Sequence, residues 1–252
     1  LIVKLLIILS YIVPKKIIFV SKRAKKIYRV LGYDKKKFQF IPNGYDLSIF
    51  KNDKTKKNLF KKKIKLSKQI PIIGKVARFD LVKDHSNLLN SLSLLRLKNI
   101  DFLCLLIGSN IKKNNKLLDQ IRRLNLEKYV KLLQPVKDVS NVMNGLDIHV
   151  LSSSAEGFPN VVAEAMAFKT PCVVTNVGDA AYIVGKTGWV VPPKDSTKLA
   201  IAIEKAIHEF KGKSWNLICN SARLRIEKKF SINKMIKSYN EVWSESNKTK
   251  TN

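Results

Sequence analysis

The chain has 252 residues, 45% of them hydrophobic, and 48 Lys and Arg against 19 Asp and Glu give it a net charge of +29. That length holds one large or two modest domains with a real core, and the apolar content excludes a disordered chain. Lysine scattered along the chain supplies most of the charge, with no RNP-like aromatic motif and no zinc-finger pattern, so nucleic acid is not an expected partner; a basic surface does suit peripheral contact with an anionic membrane.

Leu1–Val13 is apolar except for Lys4, Ser10 and Tyr11, and Pro14 ends the run. It is shorter than the roughly 20 residues of a membrane-spanning helix and lacks a small-residue cleavage site. It reads as a helix that packs inside a larger protein. A short buried strand, K-K-I-I-F-V-S, and a helix over Lys22–Leu31 complete the β-α ending of a domain whose beginning is missing. Ile41-Pro-Asn-Gly-Tyr-Asp46 is a turn, because Pro42 bars helix and Asn43-Gly44 tolerates positive φ. Lys51–Lys68 is lysine-rich and reads as a loop with an exposed helix.

A regular alternation follows. Strand-length apolar runs occur at Pro71–Ala77, Phe102–Gly108, Val130–Leu133, Asp147–Leu151, Pro171–Thr175 and Trp189–Val191. Helical patterns lie between most of them, at Asp84–Leu97, Asn114–Leu124, Val136–Gly145, Pro159–Phe168 and Ala180–Val184. Strands without polar alternation are covered on both faces, so the fold class is α/β, a Rossmann-like parallel sheet with helices on both faces. Helices over Ser196–Phe210, Asn216–Lys229 and Ile232–Trp243 close the chain, followed by a frayed polar tail. Cys104, Cys172 and Cys219 sit in apolar runs without a C-x-x-C and read as buried free thiols of a cytoplasmic protein.

The chemistry concentrates at Ser152–Ala167, S-S-S-A-E-G-F-P-N-V-V-A-E-A-M-A. Glu156 lies in the loop after a buried strand, and Glu164 lies about a turn and a half into the next helix. Pro159 suits that helix's first position. Both carboxylates belong to the carboxyl edge of the sheet, where open α/β folds bind ligands. A carboxylate accepts hydrogen bonds from vicinal hydroxyls, so the pair suits a polyol. Read alone, Glu156 is a loop carboxylate stabilised by a helix dipole and Glu164 one half of an interhelical salt bridge. Arg78 and Lys83 change that balance. Arg78 ends the first strand of the domain and Lys83 precedes the next helix; a guanidinium forks two phosphate oxygens and an ammonium adds a point charge. With the helix N-terminus at Pro159 they make an anion site. There is no G-x-G-x-x-G, no P-loop, no D-x-D and no metal-ligand spacing among the three His.

This ordered series resembles the second half of the family-four retaining glycosyltransferases of the GT-B fold (glycosyl transferases group 1). The segments that carry the resemblance are I-P-N-G-Y-D (41–46), V-A-R-F-D-L-V-K-D-H (76–85), L-L-I-G (105–108), V-K-L-L-Q-P-V-K-D-V (130–139), the Ser152–Ala167 stretch, P-C-V-V-T-N-V-G-D-A-A (171–181) and G-W-V-V-P-P-K-D (188–195). It covers about 16–243.

The resemblance implies that Arg78 and Lys83 bind the donor diphosphate and that Glu156 touches the transferred sugar. Phe158, Pro159 and Asn160 then lie along sugar and phosphate through their backbone, Glu164 binds the ribose and Leu133 flanks the base. It also implies a metal-independent hexosyltransferase without a cofactor. The donor would be a UDP- or GDP-linked sugar and the acceptor a glycan or a lipid-linked glycan, in cell-surface polysaccharide or lipopolysaccharide biosynthesis. The expected location is the cytoplasm, with peripheral attachment at the inner face of the membrane. The expected division is a remnant of the acceptor-side domain at 1–44, the nucleotide-sugar-binding domain at 45–230, a crossover helix at 231–246 and a tail at 247–252. Gln134 stands where the family commonly has Gly, and Tyr182 where it often has Glu. Most of the first domain, which normally supplies the acceptor pocket, is absent, so a catalytically incomplete nucleotide-sugar-binding module is the alternative.

Overall fold

A computed structural model describes residues 2–64, 70–135 and 139–248. The chain begins with helix α1 (Ile2–Ile12), strand β1 (Ile17–Phe19), helix α2 (Lys22–Val30) and strand β2 (Phe38–Phe40). β1 and β2 pair in parallel, Ile18 opposite Gln39. The sequence does not announce β2, three residues long and directly after the lysine run Lys35–Lys37; among the described residues its strand partner is β1.

After helix α3 (Lys54–Lys63) the alternation unfolds as expected: β3 (Ile72–Val76), α4 (His85–Leu97), β4 (Leu103–Ile107), α5 (Asn115–Arg123), β5 (Val130–Leu133), α6 (Val139–Gly145), β6 (Ile148–Leu151), α7 (Asn160–Ala167), β7 (Cys172–Thr175), α8 (Ala180–Val184) and β8 (Trp189–Val191). The first three residues of the helix expected over Val136–Gly145 lie outside the described residues. Helices α9 (Ser196–Lys211), α10 (Trp215–Phe230) and α11 (Ile232–Lys248) follow. α11 runs five residues past Trp243 and absorbs Asn247 and Lys248 of the expected tail. No Pro or Gly interrupts Ser244–Lys248, and Lys16 reaches Glu245 at 3.4 Å.

The large sheet has the order β5-β4-β3-β6-β7-β8, every pairing parallel. The chain starts in the middle at β3, winds outward one way to β5, then returns to β6 and winds the other way. β3 and β6 therefore flank the switch point, where the connections leave for opposite faces of the sheet and open α/β folds form their ligand crevice. Each face of the sheet is sealed. On one, Leu88, Leu92 and Leu95 of α4, Ile121 of α5 and Ile203 of α9 pack on Ile73, Leu106 and Val150. On the other, Met143 of α6, Val162 and Met166 of α7, Ile183 of α8 and Ile226 of α10 pack on Ile72, Leu105 and Val174. Burying each Leu or Ile contributes about 2 kcal/mol, which is why these strands lack polar alternation.

Two thiols are buried as expected. Burial pushes Cys104 up to about 12 and raises Cys172 as well. Cys219 departs from the expectation: it is only half-buried, on the outer part of α10.

One buried charge braces the switch point from below. Asp147 is 3% exposed; its Oδ2 accepts from the Ile72 N–H at 3.0 Å and its Oδ1 from Lys57 Nζ at 2.6 Å. The exposed lysine helix α3 is thereby pinned to the sheet. Asp147→Ala leaves a buried N–H and an ammonium without their acceptor, and is expected to cost about 2 kcal/mol in a urea denaturation series.

The segment before α3 meets the large domain at two neighbouring places among others. Tyr45 N–H donates to Phe230 O at 2.8 Å and Ile232 N–H to Tyr45 O at 3.0 Å, so the outgoing and returning chains run side by side. Asp179, in the loop after β7, caps α2: its carboxylate accepts from Lys22 N–H (2.6 Å), Arg23 N–H (3.0 Å) and Ser21 Oγ (3.2 Å). Lys22 Nζ lies 3.7 Å from the Tyr182 ring centroid, a cation–π contact, and Tyr182 stacks edge-on against Phe40 and Phe230. Tyr182 thus takes a lysine through its π face.

Candidate functional site

The crevice is built from two loops. The first, after β3, runs Arg78–Asp84, and Asp80 shapes it: its carboxylate accepts from Val82 N–H at 3.1 Å and opens a 3-10 turn over Leu81–Lys83. Asp84 then adopts a left-handed φ of 45° and caps α4 through Asn87 N–H at 3.0 Å. The second loop, after β6, carries Ser152, Ser153, Ser154 and Glu156 to the start of α7.

Lys83 and Glu156 meet. Lys83 Nζ donates to Glu156 Oε1 at 2.7 Å, and Ser153 Oγ donates to the same oxygen at 2.8 Å. Their side chains are 22% and 10% exposed, so the pair sits in a half-sheltered groove. Glu156 therefore has a salt-bridge partner in the free protein, which neither reading of it from sequence included. Arg78 is turned outward, 65% exposed, and forks Asp80 Oδ2 from Nε (3.2 Å) and Nη2 (3.0 Å). An exposed pair of this kind is worth little, so Arg78 is free to exchange Asp80 for a ligand oxygen.

Glu164 lies one helical turn inside α7, and the interhelical salt bridge is not made. Its carboxylate has no hydrogen bond or ion pair among the described residues. Burial holds its carboxyl above the usual range. The Tyr45 hydroxyl nearby is raised as well, by burial first and by Glu164 second.

The helix end differs by one residue from the expectation. Pro159 is the N-cap with φ −74° and ψ 92°, and α7 starts at Asn160. Proline offers no side-chain acceptor, so it leaves the first N–H groups uncapped. The Asn160 side chain is engaged elsewhere: its Oδ1 accepts from Asn43 Nδ2 and from Tyr45 Oη, each at 2.8 Å. Phe158 turns inward onto Phe230, ring centroids 5.9 Å apart. The side chains of Phe158 and Asn160 are thus engaged within the protein. Leu133 ends β5, half-buried, two strands from β3 and so about 10 Å across the sheet.

Sequence reasoning missed Lys75. It stands in the middle of β3, 1% exposed, and donates to Lys83 O at 2.6 Å and Ser152 Oγ at 2.8 Å. The signal was a charged residue inside the apolar run P-I-I-G-K-V-A, hidden by the abundance of lysine elsewhere. Gly178 was also missed. Its φ is +54°, and a Cβ there would stand 2.5 Å from Glu156 O and 2.3 Å from Gly157 O. With Asp179 N–H donating to Gly157 O at 2.8 Å, it seats the Glu156 loop on the neighbouring loop.

Residues 56–223 match the family model described as Glycosyl transferases group 1. The chain belongs to that family. As a group 1 glycosyl transferase it is 31% identical over 191 residues to the capsular polysaccharide biosynthesis glycosyltransferase CapM of Staphylococcus aureus, covering 75% of this chain and 49% of CapM. The chain thus spans about half the length of that curated relative. A glycosyltransferase structure from Rickettsia africae superposes with a TM-score of 0.84 at 25% identity, covering 92% of this chain and 63% of that one. Anabaena HepE in complex with UDP-glucose superposes with a TM-score of 0.86 at 21% identity, covering 96% and 67%. The Rossmann-like sheet of this group 1 chain is the C-terminal half of a GT-B fold.

Proposed function

We propose that this chain is the donor-binding half of a retaining glycosyltransferase. It takes a sugar from a UDP- or GDP-linked donor and delivers it to a glycan or lipid-linked acceptor during surface polysaccharide assembly. The observation that carries the reading is a convergence at the switch point: Lys83 against Glu156 in one groove, exposed Arg78 beside it, and Glu164 half-buried on α7 with no hydrogen bond or ion pair among the described residues. An unpaired half-buried carboxylate costs stability unless something completes it, and ribose hydroxyls do so.

In this reading Arg78, Lys83 and the uncapped start of α7 hold the diphosphate, and their positive charge grows in value as the phosphate leaves. Glu156 reaches the transferred sugar, and Glu164 binds the ribose. The backbone of Phe158–Asn160 lines sugar and phosphate, and Leu133 flanks the base. Retention follows from attack on the face the diphosphate vacates, with the departing phosphate accepting the acceptor's proton. The names CapM and HepE–UDP-glucose support the substrate class. The basic composition supports attachment to an anionic membrane surface from the cytoplasm. We place the domain limits at 1–44 and 45–230, with α11 as the crossover helix.

The test is isothermal calorimetry of the 252-residue chain with UDP-, GDP- and ADP-sugars. One nucleotide-sugar is expected to bind, with affinity unchanged by EDTA. Arg78→Ala, which removes a forked phosphate contact, is expected to weaken it about tenfold. Failure of every donor to bind the folded chain sinks the proposal. Binding without transfer to any acceptor favours the alternative, a nucleotide-sugar-binding module.

A further inference from the structure

We infer that Lys75 is a positioning residue for the diphosphate end of the donor site, its ammonium clamping the Lys83 loop against the Glu156 loop from beneath. The inference rests on reading that crevice as the donor site.

The two loops are zipped by consecutive rungs. Ser154 N–H donates to Val82 O at 2.8 Å, Lys75 Nζ to Lys83 O at 2.6 Å, and Ser152 Oγ to Asp84 O at 2.8 Å while accepting from Lys75 Nζ at 2.8 Å. Three successive carbonyls of the first loop are thus received by the second loop and by β3. The Lys83–Glu156 pair is the outermost rung of the same ladder. Lys75 is the only one of these groups that rises from the sheet itself.

An apolar side chain would serve packing alone at this position, with Ile73, Cys104 and Val150 as neighbours in the same core. A lysine buried without a carboxylate hydrogen-bonded to it is expensive, and neutral oxygens offset only part of that cost. The cost buys two things for an anion site: fixed geometry for Lys83 and Glu156, and a positive charge directly below them.

Burial lowers the Lys75 ammonium to about 7, opposed chiefly by Glu156 and assisted by Lys83, with Asp84 and Cys104 acting in the raising direction. Two histidines also face it: His85 and His149 are both pushed down to about 3, by burial first and by Lys75 next. Cys104 is pushed up to about 12. Between pH 6 and pH 8 the histidines and the thiol keep their charge, and so does the diphosphate diester of a nucleotide-sugar. Lys75 loses its charge across that interval.

The experiment measures UDP-glucose affinity by calorimetry for the full chain, Lys75→Met, Lys83→Met and the double variant. Lys75→Met is expected to weaken binding about tenfold, and to add little once Lys83 is already Met. Wild-type affinity is expected to fall as pH rises through about 7, and Lys75→Met to be flat. Wild-type affinity and pH profile in Lys75→Met, or full additivity with Lys83→Met, overturns the inference. Hydrogen exchange separates it from the donor proposal, because it needs no ligand. The amides of Lys83, Asp84 and Ser154 are expected to lose protection in Lys75→Met. Ser152→Ala, which removes the bridging hydroxyl and leaves the charge, is expected to loosen the same amides. Unchanged protection in both variants overturns the clamp, whereas a wild type that binds no nucleotide-sugar overturns the donor reading.

Discussion

Glu164→Gln is expected to weaken nucleotide-sugar binding about a hundredfold, the worth of two hydrogen bonds to a charged acceptor, while making the free protein more stable. The two effects share one cause. The Glu164 carboxylate is half-buried, has no hydrogen bond or ion pair among the described residues, and is held above its ordinary range by burial. A carboxyl whose folded value is raised binds more protons folded than unfolded across the interval between the two values. Stability therefore falls as pH climbs through that interval, and the full penalty applies above it. Gln removes the penalty. The melting temperature of Glu164→Gln should exceed that of the wild type at neutral pH, and the difference should vanish once pH drops below the ordinary carboxylate range. A variant that binds donor like the wild type takes Glu164 out of the site.

Gly178→Val is expected to cost about 4 kcal/mol, combining left-handed backbone strain in a β-branched residue with overpacking against main chain. At φ +54° its Cβ would press on Glu156 O and Gly157 O, which have no rotamer to escape into. The loop that carries Glu156 must move, so donor affinity should fall with stability. Gly157, one loop away, is the control. A Cβ there meets nothing within 4 Å, and Gly157→Ala should leave the denaturation midpoint nearly unchanged. Equal effects at the two glycines would show that the loops are not seated on each other as described.

The strands and helices were legible because their cause is local. An apolar run covered on both faces has no choice of face to record, so Pro71–Ala77 and its successors announce themselves without an alternating pattern. Arg78, Lys83 and Glu156 were legible as residue types in the loops after strands, and Glu164 as one in the helix that follows. What they touch was not. Lys83 and Glu156 are separated by 73 positions and meet only because β3 and β6 are neighbours in the sheet. Lys75 was lost for a different reason: with lysine so frequent, one more inside a strand carries no contrast until its burial is known. β2 was missed because three residues, Phe38-Gln39-Phe40, record too little of a pattern to separate strand from loop.

The double crossing at Tyr45 and Ser231 bears on motion. A body tethered by one strand swivels about any axis. Two chain segments bonded side by side, Tyr45 to Phe230 and Ile232 to Tyr45, are held like a pair of pins in a door, which resist twist and sliding better than one. Asp179, which caps the start of α2, is a further attachment between the same two parts of the chain. A swing of residues 2–44 about those pins would have to surrender the capping bonds of α2 at Asp179 and the Lys22–Tyr182 contact together.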